Sequence, residues 1–159
     1  MRIHRNSLPA CLVFTTLMGA APAHAQEHHG EPEAHHHKNV IAFFLGGATE
    51  ERRDKGAAFG IEYERRLGAS WGLGLVAERT YGDFDVDVFV VPVAFHSGPW
   101  KTYVAPGIED GPEGSERLIR VGVEYGFEAG RWEIAPQFDF DFVDGERVAV
   151  LGVTFGFGF

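Results

Sequence analysis

An eight-stranded antiparallel transmembrane β-barrel is the fold that this sequence predicts, on three observations. From residue 39 to residue 159, hydrophobicity alternates with period two almost without a break. Turn signals cut that stretch into eight segments of similar length. The face opposite the apolar ladder is Gly interspersed with Glu, Asp and Arg. A soluble barrel could not pack so many charges inside, whereas a membrane barrel requires an apolar outer face and a polar lumen. No stretch has helical periodicity or roughly 18 consecutive apolar residues, so a helical crossing is excluded.

Residues 1–25 read as a secretory signal peptide. Arg2, His4 and Arg5 form a basic start, residues 8–21 are mostly apolar, and Ala23-His24-Ala25 offers small residues at the cleavage positions. Cleavage there removes the lone cysteine, Cys11, so neither a disulfide framework nor a Cys-rich zinc site is available. The whole chain has 14 Lys+Arg against 23 Asp+Glu; without Arg2 and Arg5 the charge is (14 − 2) − 23 = −11. That balance argues against nucleic-acid binding, which needs a basic face.

Residues 26–38, QEHHGEPEAHHHK, have no apolar periodicity and read as a disordered tail. His28, His29, His35, His36 and His37 are ligand types for Zn, Ni or Cu, with Glu27, Glu31 and Glu33 beside them. Adventitious binding by a solvated tail is the plainer alternative. No cofactor is required.

The predicted strands are 39–47, 56–67, 71–82, 84–96, 99–109, 116–129, 131–143 and 146–159. The last is the clearest: Leu151, Val153, Phe155, Phe157 and Phe159 alternate with Val150, Gly152, Thr154, Gly156 and Gly158. In 131–143, Trp132, Ile134, Phe138, Phe140 and Phe142 alternate with Glu133, Gln137, Asp139 and Asp141. The same scheme places Glu62, Glu64, Arg66, Glu78, Lys101, Arg120 and Glu124 in the lumen. Short turns are expected at Gly68-Ala69-Ser70, Ser97-Gly98-Pro99, Ala129-Gly130 and Asp144-Gly145, with longer polar connections at 48–55 and 110–115. Pro92, Pro106 and Pro136 lie within strands, which predicts bulges or local irregularity. In 84–96, Val86 and Val88 alternate with Asp85 and Asp87, but Phe89, Val91, Val93 and Phe95 suggest that the strand changes face. Trp71, Trp100, Trp132 and Phe159 fall at one end of the sheet, as an interfacial aromatic girdle would.

With its signal peptide, eight alternating strands and the terminal run Val153-Thr154-Phe155-Gly156-Phe157-Gly158-Phe159, residues 39–159 resemble the small eight-stranded bacterial outer-membrane β-barrels. The resemblance implies a monomer in the outer membrane with both termini periplasmic. It also implies contact with outer-membrane lipid and lipopolysaccharide, and a C-terminal strand read by the barrel assembly machinery. It does not fix an activity, since that group includes structural anchors, adhesins and lipid-modifying enzymes. His96-Ser97 as a hydrolase pair lacks a third group and lies in a predicted turn, so no catalytic residue is assigned. A non-enzymatic structural or interaction barrel is expected. The alternative is a narrow cation-selective channel or small-solute or metal transporter. Arg79 falls on the lipid side near the outer end. Arg52, Arg53, Lys55, Arg117 and Arg147 lie in or beside the outer loops, placed to meet lipopolysaccharide phosphates or simply solvated.

The tail yields the first prediction. Titration calorimetry with Zn²⁺, Ni²⁺ or Cu²⁺ is expected to give micromolar binding (about −8 kcal/mol) that weakens on acidification, because protonated imidazole cannot ligate. A chain lacking residues 26–38 should lose that binding. Equal heats from both chains would reduce the tail to a linker.

Overall fold

The computed structural model describes residues 37–50, 54–83 and 85–159. The predicted signal peptide, most of the histidine tail, Arg52 and Arg53 lie outside the described residues. The described residues form strands β1 (Asn39–Glu50), β2 (Asp54–Arg66), β3 (Trp71–Gly82), β4 (Val86–Val90), β5 (Val93–Ser97), β6 (Trp100–Gly111), β7 (Gly114–Tyr125), β8 (Phe127–Ala129), β9 (Trp132–Val143) and β10 (Glu146–Gly158). β4 and β5 are two lengths of one stave, since both pair with β3 and β6. β7 and β8 likewise share β9. These ten segments therefore make eight staves, all antiparallel, and β10 closes on β1.

Closure comes with a stagger. From Val40 the register runs through Glu64 and Gly74, over the stave at Pro92, to Ala105, Arg120, Asp141 and Val148. It returns at Glu50, ten residues further along β1 (50 − 40 = 10). Ten steps of ~3.3 Å across eight staves ~4.8 Å apart tilt the strands by about 40°.

The prolines sit at unpaired rungs, and no residue is inserted. Pro92 and Pro106 share one gap: the ladder between the fourth and fifth staves stops at Val90↔Gly107 and resumes at Val93↔Val104. Three residues pass on each side, so the register is unchanged. Inside the gap Val91 N donates to Pro106 O, and on the other side of the stave Gly74 N of β3 donates to Pro92 O, each at 2.9 Å. Pro136 lies beside the second gap, where Gly126 turns its N–H to Pro99 O at 2.7 Å. Residues that lack an N–H collect where rungs are already missing.

Two expectations are corrected here. The stave 86–97 does not change face: Val86, Val88, Val90, Pro92 and Ala94 are all buried inside, while Phe89, Val91, Val93 and Phe95 are exposed outside. Apolar side chains fill this part of the interior, so polarity stops reporting the face although the pleat continues. The 110–115 connection is a tight hairpin, because β6 and β7 run to Gly111 and Gly114 and leave only Pro112 and Glu113 between them.

The interior is packed. Phe44 is 1% exposed. A Cβ on Gly46 would stand only 2.5 Å from the Phe44 ring and 2.9 Å from Gly152 Cα, so glycine at this crossing makes room for the ring. Phe44→Ala is expected to cost about 3–5 kcal/mol, the range for an emptied aromatic site in a core. Its lipid-side neighbour Phe43, 60% exposed, should cost clearly less. Reversible urea unfolding from lipid vesicles, followed by tryptophan fluorescence, checks this; an equal or larger loss at Phe43 would reverse the assigned faces.

Candidate functional site: the polar interior

The outer wall is apolar and the inner wall is charged. Among outward residues, Leu45, Leu75, Leu151 and Phe155 are 44–65% exposed. At the end where β1 begins and β10 finishes, Trp71, Trp100, Trp132 and Phe159 are exposed by 54, 51, 63 and 54%. The tryptophans pack edge-on against outward aromatics: Trp71 on Phe95 at 5.2 Å, Trp100 on Tyr125 at 4.8 Å and Trp132 on Phe157 at 5.0 Å.

The inner wall is built in levels. At the loop end, a cavity of about 630 Å³ is lined by Glu50, Asp83, Asp85, Glu109, Glu116 and Glu146 among others, with Val86 and Val148 on its lining as well. Two apolar clusters lie within the barrel, one including Val86, Val88, Val90, Leu118 and Val143, the other Phe44, Ala48, Ala58, Val148 and Val150.

The next level centres on Arg120, which is 1% exposed. Its Nε and Nη2 donate to Asp141 at 2.7 Å each, and Nη1 and Nη2 donate to Glu78 at 3.0 and 3.1 Å. Two carboxylates thus take the guanidinium fork from both sides, the geometry in which a buried ion pair holds best. β3, β7 and β9 supply the three groups. Beside them, Asp139 accepts from Tyr103 Oη at 2.5 Å and from Gln137 Nε2 at 2.7 Å. Gly122 lies under the Tyr103 ring, where a Cβ would come 2.5 Å from the hydroxyl.

Toward the termini, Lys101 Nζ stands 2.6 Å from Glu124, 3.4 Å from Glu64 and 3.9 Å from Glu62. Glu64 also meets His96 Nε2 at 2.6 Å and Arg66 Nε at 3.3 Å. Glu133 joins Glu62, Glu64 and Glu124 around a cavity of only about 30 Å³, the share of one water molecule.

The structure therefore brings Glu62, Glu64, Lys101 and Glu124 together, and separately Glu78, Arg120, Asp139 and Asp141. Glu133 stands at the edge of the first group. Tyr103, Gln137 and His96 complete these networks; Gln137 was read on the polar face of its strand, whereas Tyr103 and His96 were not singled out as lumen residues, and their positions in step with Lys101 and Ala94 are the signal that identifies them. His96 lies in β5 and faces inward, whereas Ser97 faces out, so the two do not form a nucleophile–base pair. Of the five tail histidines, only His37 lies among the described residues. Among those residues, no group of three or more His, Cys, Asp or Glu is arranged to hold a metal ion.

No protein-family model and no curated protein sequence matches the chain. Its fold is similar to solved transmembrane barrels. The N-terminal β-barrel domain of Pseudomonas aeruginosa OprF aligns with a TM-score of 0.52 and 17% identity, over 77% of this chain and 99% of that one. The Yersinia pestis outer membrane protein Ail, in a phospholipid bilayer nanodisc, gives 0.53 and 14%, over 76% and 99%. Neisserial surface protein A gives 0.50 and 13%, over 76% and 96%. At these identities the likeness is one of fold. The chain is a closed eight-stranded transmembrane β-barrel, the class that its sequence predicted.

Replacing Arg120 by Met leaves Glu78 and Asp141 buried without their cation, which is expected to cost about 3–5 kcal/mol. Adding Glu78→Gln and Asp141→Asn should recover most of that loss. Vesicle unfolding titrations of the single and triple variants provide the check; a triple variant no more stable than the single would show that the carboxylates do not depend on Arg120.

Proposed function

We propose that this barrel is a non-enzymatic, non-conducting component of the bacterial outer membrane, with a structural or interaction role. The observation that carries the reading is the Arg120 level: Arg120, Asp139 and Asp141 are 0–2% exposed, whereas groups lining a water-filled pore would be wetted. Eight staves leave an interior that side chains can fill. The similarity in fold to OprF, Ail and neisserial surface protein A supports an outer-membrane setting. In this reading the chain is a monomer whose termini face the periplasm and whose last strand is recognised by the assembly machinery. Lys55, Arg117 and Arg147, all exposed near the loop end, meet lipopolysaccharide phosphates. The histidine tail captures Zn, Ni or Cu as an accessory property.

A second reading, a narrow cation-selective channel, is favoured by one observation. Between the two rims, seven carboxylates face the interior (Glu62, Glu64, Glu78, Glu124, Glu133, Asp139 and Asp141) against the three cations Arg66, Lys101 and Arg120. Planar-bilayer recording separates the two. The barrel is expected to give no resolved unitary steps, and Arg120→Ala should not increase leak unless the interior also loosens. Frequent cation-selective steps that shrink on neutralising Glu124 and Asp139 would establish the channel instead.

A further inference from the structure

We propose that the outer wall at β2, β3 and β4 holds one phosphate-bearing lipid, its headgroup on Arg79 and one acyl chain in the groove beneath. The proposal deepens the reading that loop-end cations meet lipid phosphates and rests on it. Phe59, Arg79 and Asp87 are direct neighbours on three adjacent strands, all on the outward face. Arg79 Nη1 donates to Asp87 at 2.5 Å, and its guanidinium carbon lies 4.9 Å from the Tyr81 ring centre. A guanidinium carries five N–H donors. Among the described residues the single hydrogen bond is from Nη1 to Asp87; Nε is buried and unpartnered, while Nη2 makes no hydrogen bond on a side chain that is 34% exposed. Arg79 follows Trp71 by eight residues (79 − 71 = 8) on β3. That places it about 20 Å above the girdle in a lipid belt about 25 Å tall, near the headgroup boundary of the loop-end leaflet. The exposed Nη donors at that depth need acceptors, and a neighbouring lipid headgroup supplies them.

Below it the wall is hollowed. Ala77 is the small outward residue between Ile61 and Phe89, its direct partners across the sheet. With Phe43 and Phe59 they line an open groove of about 310 Å³ whose upper edge is formed by Arg79 and Asp87. An apolar trough ending at a cation with free donors matches an amphiphile with an acyl chain and an anionic head. Phosphate is the head that the fork of a guanidinium engages with several oxygens at once.

Native mass spectrometry of the folded chain released from detergent micelles tests this. The probes are phosphatidic acid, diacylglycerol with the same acyl chains, and inorganic phosphate. The chain is expected to retain one phosphatidic acid, to retain no diacylglycerol, and to keep its lipid in the presence of equimolar inorganic phosphate. Arg79→Gln should cut the retained fraction at least tenfold. Ala77→Phe, which fills the groove and leaves the Arg79–Asp87 pair in place, should do the same and decides the matter if Arg79→Gln does not fold. Asp87→Asn should raise retention, and Arg131→Gln, at the opposite rim, should leave it unchanged. Undiminished retention by either loss variant, equal retention of diacylglycerol, or displacement by inorganic phosphate overturns the site. Heat-modifiable gel mobility is read in parallel: a chain without it contradicts the membrane-barrel reading itself, whereas a folded barrel indifferent to Arg79 contradicts only this proposal.

Discussion

A strand in hydrocarbon has no water to satisfy its N–H and C=O groups, so every one must find a partner within the sheet. Here that requirement is met by the ladder between β1 and β10, which runs from Val40↔Gly158 to Glu50↔Val148. Once these strands pair, no edge is left, and the pleat divides all side chains between lipid and interior. A one-residue slip would turn Phe155 inward and Thr154 out, and it would do so along the whole strand. The ten-residue stagger follows from the same closure and brings Glu78, Arg120 and Asp141 from three strands to one level.

The interior then has to be filled by side chains. Small residues set the spacing: Gly46 and Gly152 admit the Phe44 ring, and Gly122 admits that of Tyr103. Polar side chains pair in two networks, around Arg120 and around Lys101, with Gln137 Oε1 left unpartnered, and two apolar clusters fill much of the remaining space. Charge is also sorted radially near the loops. Carboxylates line the inner mouth, while Lys55, Arg79, Arg117 and Arg147 stand on the outer wall. That arrangement turns these cations outward and leaves an acidic cup above the Arg120 level.

Much of the fold was legible in the sequence because in a barrel the side-chain period survives wherever lipid and lumen differ in polarity. The terminal strand, with large apolar residues on one face and Gly and Thr on the other, shows this most clearly. The signal failed in 86–97, where Val86, Val88 and Val90 fill the interior and both faces are apolar. Of the bulges or local irregularity expected at the prolines, the irregularity is what forms: rungs are missing, with Pro92 opposite Ala105 and Pro106 opposite Val91 in one gap, and no extra residue enters either strand. The lumen residues were readable as members of a face. Their pairings were not, since Arg120 is 42 residues from Glu78 and 21 from Asp141, and only the register joins them. The Arg79–Asp87 pair was hidden for the same reason, although Arg79 itself was readable on the lipid side.

The closed register is the claim on which all of this depends, and cross-strand amide NOEs from the barrel in phospholipid nanodiscs test it most directly. The account predicts contacts between β1 and β10 that match Ala42↔Gly156, Phe44↔Thr154 and Ala48↔Val150, with Arg120 opposite Asp141 on β7 and β9. Absence of β1–β10 contacts, or a set displaced by one residue, would contradict it.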